Sequence, residues 1–307
     1  MPDVPHRPTA RDGPEVSVKP TTYGGQAVIE GVMIRGRRTI SLACRKPDGG
    51  IYRYREPLDS PLLDSKVARA LFVRGVVVLW ESLRDGMRML MRSADVQLAA
   101  EEQQLKGGGS AAFMLGGLLV ALVLFIGIPY LATGLLRAAV PSTLWLNIAE
   151  GLLRLALLLG YLVAISFVPD IRRVFAYHGA EHMTIHAFEH GDPLDARHVA
   201  PYPTAHPRCG TAFLLFVVVI AIAVFALVPR VNLIVDLVVR LVLVIPVASI
   251  SYEVLRLGAG HEGNPLMRLA VAPGLLLQAI TTRRPDEPMI EVAIASLEGA
   301  IAGDAAA

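Results

Sequence analysis

Four long apolar stretches, residues 111–136, 144–168, 211–228 and 231–250, limit what this chain can fold into more than any other feature. A helix that crosses the hydrocarbon core of a bilayer needs roughly 20 mostly apolar residues. Water is absent at that depth, so each stretch must satisfy its backbone internally, which means helix. The first and third carry no charge, the second only Glu150 and Arg154, the fourth only Asp236 and Arg240. In both pairs the acid precedes the base by four residues, on one helical face. Two local ion pairs are therefore expected, with a transport path as the alternative. The expected fold class is an α-helical integral membrane protein with four transmembrane helices, amphipathic helices and a small N-terminal cytoplasmic β element. A hydrophobic content of 53% against 18% charged residues agrees.

Charge placement then orients the chain. Of 29 Lys and Arg, 17 precede the first stretch. Arg172, Arg173, Arg197 and Arg208 lie between the second and third, and Arg256, Arg268, Arg283 and Arg284 follow the last. The two short loops hold only Arg137 and Arg230. Positive residues favour the cytoplasmic side, which places both termini and the loop 169–210 on the cytoplasmic face of a bacterial inner (cytoplasmic) membrane. The lipid bilayer is thus an expected partner, and a protein partner or homo-oligomer stays open. Aromatics at 6% and the lack of a basic stripe do not suit nucleic acid. Cys44 and Cys209 lie far apart without CxxC spacing and read as reduced thiols.

Four regions follow: a disordered tail 1–22, Pro-rich and without the apolar core of a signal peptide; cytoplasmic strands and an amphipathic helix, 23–106; a four-helix membrane domain, 107–257; and C-terminal interfacial helices, 258–307. Strands are expected over 26–35, 39–44 and 51–55, the last two flanking the turn Pro47-Asp48-Gly49-Gly50. Residues 71–92 mix Arg, Glu and Asp with Val, Leu and Met, as a helix lying on the membrane surface does. Gly107–Gly109 reads as a hinge. Residues 265–280, broken by Pro273-Gly274, read as interfacial or re-entrant, and 286–301 as a small amphipathic helix.

Chemistry concentrates in Tyr177-His178-Gly179-Ala180-Glu181-His182. Residues 178–182 spell H-x-x-E-H, the inverted zinc-hydrolase helix motif. His178 and His182 project from one helical face and can share a metal ion, with Glu181 beside them as general base. Histidines recur at 186 and 190, but each step of four overshoots a turn by about 40°, so one site takes two of them easily and not four. Solvated histidines on a surface helix are the plainer alternative. Downstream, Pro203–Thr211 carries His206 and Cys209, both capable zinc ligands, though the segment also suits a simple entry into the third stretch. Glu30, read as sharing a strand face with Val28 and Val32, and Glu253 in Ser251-Tyr252-Glu253 are further candidate ligands; an edge position for Glu30 and an interfacial Arg partner for Glu253 would explain each without metal.

Tyr23-Gly24-Gly25-Gln26-Ala27-Val28-Ile29-Glu30-Gly31-Val32-Met33-Ile34-Arg35-Gly36 resembles the opening signature of the bacterial DUF1385, or YqhQ-like, membrane protein family. YHGAEH at 177–182, HPRCGT at 206–211, SYE at 251–253, Asn264-Pro265, Pro273-Gly274-Leu275 and Thr281-Thr282-Arg283 resemble its later blocks in order. The resemblance runs over roughly residues 22–298 and implies a multi-spanning, metal-dependent enzyme of undefined substrate. Met183 and Ala212 depart from the family's pattern, where Lys and Ser are common, and neither is a proposed ligand.

The expectation is therefore a cytoplasm-facing site for a divalent metal, zinc first, with His178 and His182 as ligands. His206, Cys209, Glu30 or Glu253 would complete the shell, Glu181 would act as base, and Arg208 would stabilise developing negative charge. A hydrolase of a peptide or lipid-linked bond fits best. A non-enzymatic scaffold with a structural or absent metal, and a transporter, are the alternatives.

Overall fold

Alternation along the first described residues builds a four-stranded antiparallel meander. In a computed structural model, which describes residues 23–58, 65–66, 68–98, 107–259 and 265–306, strands β1 (Gly24–Val28), β2 (Gly31–Arg35), β3 (Thr39–Arg45) and β4 (Ile51–Pro57) lie in sequence order. The tail 1–22 is outside the described residues. The expected strand over 26–35 is in fact two, reversed at Ile29-Glu30, where Glu30 takes a left-handed φ of 51°. That reversal takes Glu30 off the strand face on which it was expected.

Helices cover both faces of the sheet. On one face Val28, Met33, Ile40 and Leu42 meet Met89 of α1 (Val73–Leu98). On the other, Val32, Ile34 and Ala43 pack on α5 (Pro169–His190) and α10 (Glu287–Ala306). Asp286 starts α10 by accepting the Met289 N–H at 3.0 Å, an N-cap bond. The expected amphipathic helix here is instead a core helix, buried over most of its length. Its small residues let it touch β3: the Ser296 hydroxyl donates to the Ser41 carbonyl, and a Cβ at Gly299 would strike Ser41.

Helix α1 inverts ordinary amphipathicity. Glu81 and Asp85 are fully buried and bind Arg35 at 3.1 and 3.4 Å, while Trp80 and Leu83 are 60% and 61% exposed. The helix leaves its wet face inside and its oily one outside.

The apolar part contains α2 (Gly107–Leu122), a π-helical turn Val123–Gly127, α3 (Ile128–Gly134), α4 (Thr143–Ile165), α7 (Thr211–Ala226), α8 (Leu233–Ala259) and α9 (Pro265–Thr281). The glycines expected as a hinge open α2 instead. Among the described residues, three segments, Leu115–Gly134, Thr143–Ile165 and Leu233–Leu257, are long and apolar enough to cross a membrane. The other expected span, α7, is wholly apolar but has 16 residues, about 24 Å of helix against a core of about 30 Å. Helix α9 runs through Pro273 without breaking. Gly274 in it lies so close to Ala212 of α7 that any Cβ there would collide.

The charges of the expected spans do not form two separate pairs. Glu150 binds Arg154 at 2.7 Å as expected, but it also binds Arg230 at 2.7 Å and Arg240 at 2.8 Å. Asp236 turns away from Arg240 and accepts from the Tyr130 hydroxyl and the Val231 N–H. Arg154 in addition donates to the Phe125 carbonyl within the π turn at 2.7 Å. One carboxylate joining three guanidiniums holds α4, α8 and the 227–232 loop together, because a bidentate acid surrounded on several sides satisfies more buried donors than a single helical neighbour can.

Candidate functional site

Helix α5 carries the site because its sequence puts small residues where it meets other chain segments. A Cβ at Gly179 would overlap the Arg283 carbonyl oxygen, and one at Gly25 of β1 would overlap the Met33 carbonyl and come close to the Glu181 side chain. Contact at these glycines brings the segment after α9, the strand β1 and the loop 191–210 onto one stretch of α5. The chain also returns there through backbone bonds: the Arg283 N–H donates to the Phe175 carbonyl at 2.9 Å.

Two imidazoles are oriented by these neighbours. His178 donates from Nδ1 to the Thr281 carbonyl at 2.9 Å, and His182 from Nδ1 to the Thr204 carbonyl at 2.6 Å. Neutral rings that donate from Nδ1 carry their lone pair on Nε2. The Nε2 of His178 lies 3.2 Å from the Cys209 Sγ, and the ring centroids of His178 and His182 are 4.4 Å apart. One donor atom from each of His178, His182 and Cys209 falls within 4.8 Å of the others. Thr211 adds its hydroxyl at 3.1 Å and its N–H at 3.4 Å to the sulfur. Ligand atoms around a tetrahedral zinc, with bonds of about 2.0–2.3 Å, are separated by distances of this order. The donor set therefore fits a divalent metal.

Glu181 completes the electrostatics. It is 4% exposed, accepts the Gly25 N–H on Oε1 at 3.1 Å and holds Oε2 3.5 Å from the Nε2 of His182. Burial by itself would lower the proton affinity of His182, but Glu181 and Cys209 outweigh it and raise the group above its ordinary value. An environment that favours a proton there favours a cation for the same reason.

These residues form one wall of a cavity of about 320 Å³. Glu181, His182, Ile185, His206, Arg208 and Cys209 face Tyr23, Gly24, Gly25 and Arg35 of the sheet side and Ser82 and Asp85 of α1. The pocket thus combines charges of both signs with a larger share of apolar surface.

The sequence-derived candidates separate here. His178, His182, Cys209 and Glu181 come together, and Arg208 lines the same cavity. His206 lines it too, but its Nε2 faces Glu189 at 3.4 Å and its ring sits 4.4 Å from that of His186, in a second group. Burial, then His186 and His182, push its pKa down to about 3. Arg208 is ion-paired with Glu189. Glu30 and Glu253 are elsewhere. Arg173 grips both oxygens of Glu30 at 2.5 Å, with Tyr177 adding a hydroxyl at 3.3 Å. Arg74 grips both oxygens of Glu253. The residues that sequence reasoning passed over are Gly25, Thr204, Thr281, Glu189 and Arg35. Gly25, Arg35 and Thr281 lie in blocks that carried the resemblance, but Thr204 and Thr281 act through backbone carbonyls, which leave no side-chain signal.

Comparison with known proteins places this geometry in context. A family model described as a protein of unknown function, DUF1385, matches residues 71–302. The uncharacterized protein YqhQ of Bacillus subtilis (strain 168) is 33% identical over 290 residues, covering 90% of this chain and 91% of that one. No solved structure matches significantly.

Proposed function

Since the chain belongs to the DUF1385 family, whose description assigns no activity, we propose a function from the site itself: a membrane-bound, metal-dependent hydrolase whose centre faces the cytoplasm. The observation that carries this reading is the anchoring of both histidines. Metal-ligating imidazoles characteristically donate the other ring N–H to a carbonyl or carboxylate, which fixes the tautomer and the ring orientation. His178 and His182 both do so, and their free nitrogens face a thiol.

His178, His182 and Cys209 would hold the ion. Three protein ligands with an open side toward a cavity belong to catalytic sites, whereas structural zinc sites close with four. The metal supplies Lewis acidity there. Glu181, fixed through Oε1 by the Gly25 N–H, would take the proton of an attacking water on Oε2. Arg208, steadied by Glu189, would face negative charge developing on a peptide or lipid-linked substrate in the cavity. Two features support the membrane setting: the three long apolar helices, and the outward Trp80 and Leu83 of α1, whose Arg74 is joined to Glu253 in α8. The positive-inside distribution supports a cytoplasmic site. A transporter has less support, because Asp236 and Arg240 are each held by other groups.

Metal analysis of detergent-purified protein beside a His178→Ala/His182→Ala variant tests the reading. One tightly held equivalent in the wild type and its loss in the variant is the expected result. Equal, near-zero metal in both overturns it.

A further inference from the structure

A second set of donors lies beside this centre, and of its three residues the reading above uses only Glu189, as the partner of Arg208. His186 and Glu189 stand three apart on α5, a spacing that puts them on one face, and His206 reaches them from the loop. One donor atom from each of the three lies within 4.8 Å of the others. The His206 ring centroid is 4.4 Å from that of His186 and 5.7 Å from that of His182. The second set therefore abuts the first without sharing a side chain. His206 is 5% exposed and lines the cavity, while His190 and Tyr202, which flank His186 on the far side, lead toward solvent.

We propose that His186, Glu189 and His206 form a second divalent-cation site, on the solvent side of the first and weaker than it. The ranking rests on the reading of the first site and follows from what each set gives up. His178 and His182 already present lone pairs toward one point. His206 instead accepts the Arg208 N–H on Nδ1 at 3.2 Å, so its proton sits on Nε2, toward Glu189, and has to leave or change nitrogen. His186 is tied through Nε2 to the Ala205 carbonyl at 2.9 Å, which makes Nδ1 its lone-pair nitrogen. Glu189 is held by Arg208, so guanidinium and cation compete for one carboxylate. Two imidazoles and a carboxylate, without sulfur, suit zinc, cobalt, nickel or manganese and give no selectivity for softer ions.

Cobalt(II) titration of the full-length protein in detergent, after chelator stripping, reads the two sites separately. The first equivalent brings the thiolate-to-metal charge-transfer absorbance of Cys209, and the second binds without it. Glu189→Gln and, independently, His186→Ala each lose the second equivalent and keep the charge-transfer band. Arg208→Gln tightens the second equivalent severalfold, since the competing cation is gone. A wild type that binds a single equivalent with the band intact overturns the second site. So does a second equivalent that survives both Glu189→Gln and His186→Ala, because it then sits elsewhere. Failure of the hydrolase centre reads differently: no charge-transfer absorbance at any cobalt concentration.

Discussion

The Nε2 of His178 and the Sγ of Cys209 lie 3.2 Å apart, although 30 residues separate them in the chain. Their meeting depends on the loop 191–210 folding back along α5, which the Thr204 and Ala205 carbonyls secure by taking N–H bonds from His182 and His186. Under the proposed metal assignment, Cys209→Ser keeps the size of the side chain and replaces a soft ligand with a hard, weakly acidic one. Bound zinc, measured by elemental analysis after dialysis, is expected to fall well below the wild-type level while the helical circular dichroism is retained.

Glu30 and Glu253 give the opposite expectation. Each carboxylate is already gripped by an arginine, Arg173 and Arg74, away from the histidines. Glu30→Gln and Glu253→Gln should leave metal content unchanged. Glu30 is partly exposed and its partner Arg173 is half-exposed, so the loss of stability from the first variant should be at most about 1 kcal/mol. A drop in bound metal in either variant would contradict the arrangement.

Gly179 sets the distance between α5 and the segment that follows α9. Gly179→Val drives its Cβ into the Arg283 carbonyl and against Thr204, at a cost of about 1–3 kcal/mol for overpacking. It also presses on the two segments whose Thr281 and Thr204 carbonyls orient His178 and His182. Thermal unfolding should therefore shift down and metal affinity fall together. Gly160, with nothing within 4 Å of a Cβ, provides the control: Gly160→Ala should change neither.

Glu150 holds three arginines, two of them almost wholly buried. Removing the anion leaves those cations uncompensated, a loss of about 3–5 kcal/mol for a broken buried pair. Glu150→Gln should lower the unfolding midpoint in detergent sharply. Adding Arg240→Met should recover part of the loss, because it removes one of the stranded charges. Equal stability of Glu150→Gln and wild type would show that the cluster is solvated.

Cys44 makes the protein sensitive to base. Burial in β3, with a smaller contribution from the charge of Glu30, raises its thiol from the ordinary 9.0 to about 11. Tyr177 is raised by burial and Glu30 in the same direction. The native state thus keeps protons that the unfolded chain releases. That stability is fully present below pH 9.0 and is lost as pH rises through about 11. Unfolding midpoints measured across this window should decline less steeply for Cys44→Ala than for the wild type.

What could be read from sequence alone were features decided within a turn or two of chain. Three of the four apolar runs as helices of spanning length, the turn at 47–50, the stripe of His178 and His182 and the Glu150–Arg154 pair all follow from periodicity, and each is present in the fold. The single strand expected over 26–35 was not two-strand legible, because its interruption at Glu30 depends on pairing with β3, where the Arg45 N–H meets the Glu30 carbonyl at 2.7 Å. Choices among distant partners were decided only in three dimensions. Cys209 rather than His206 joins the paired histidines, Glu30 and Glu253 are taken by arginines, and Arg240 prefers Glu150 to its helical neighbour Asp236. A charged or ligating group takes the partner that packing brings nearest once water is excluded, and chain reversals, not sequence spacing, determine which one that is.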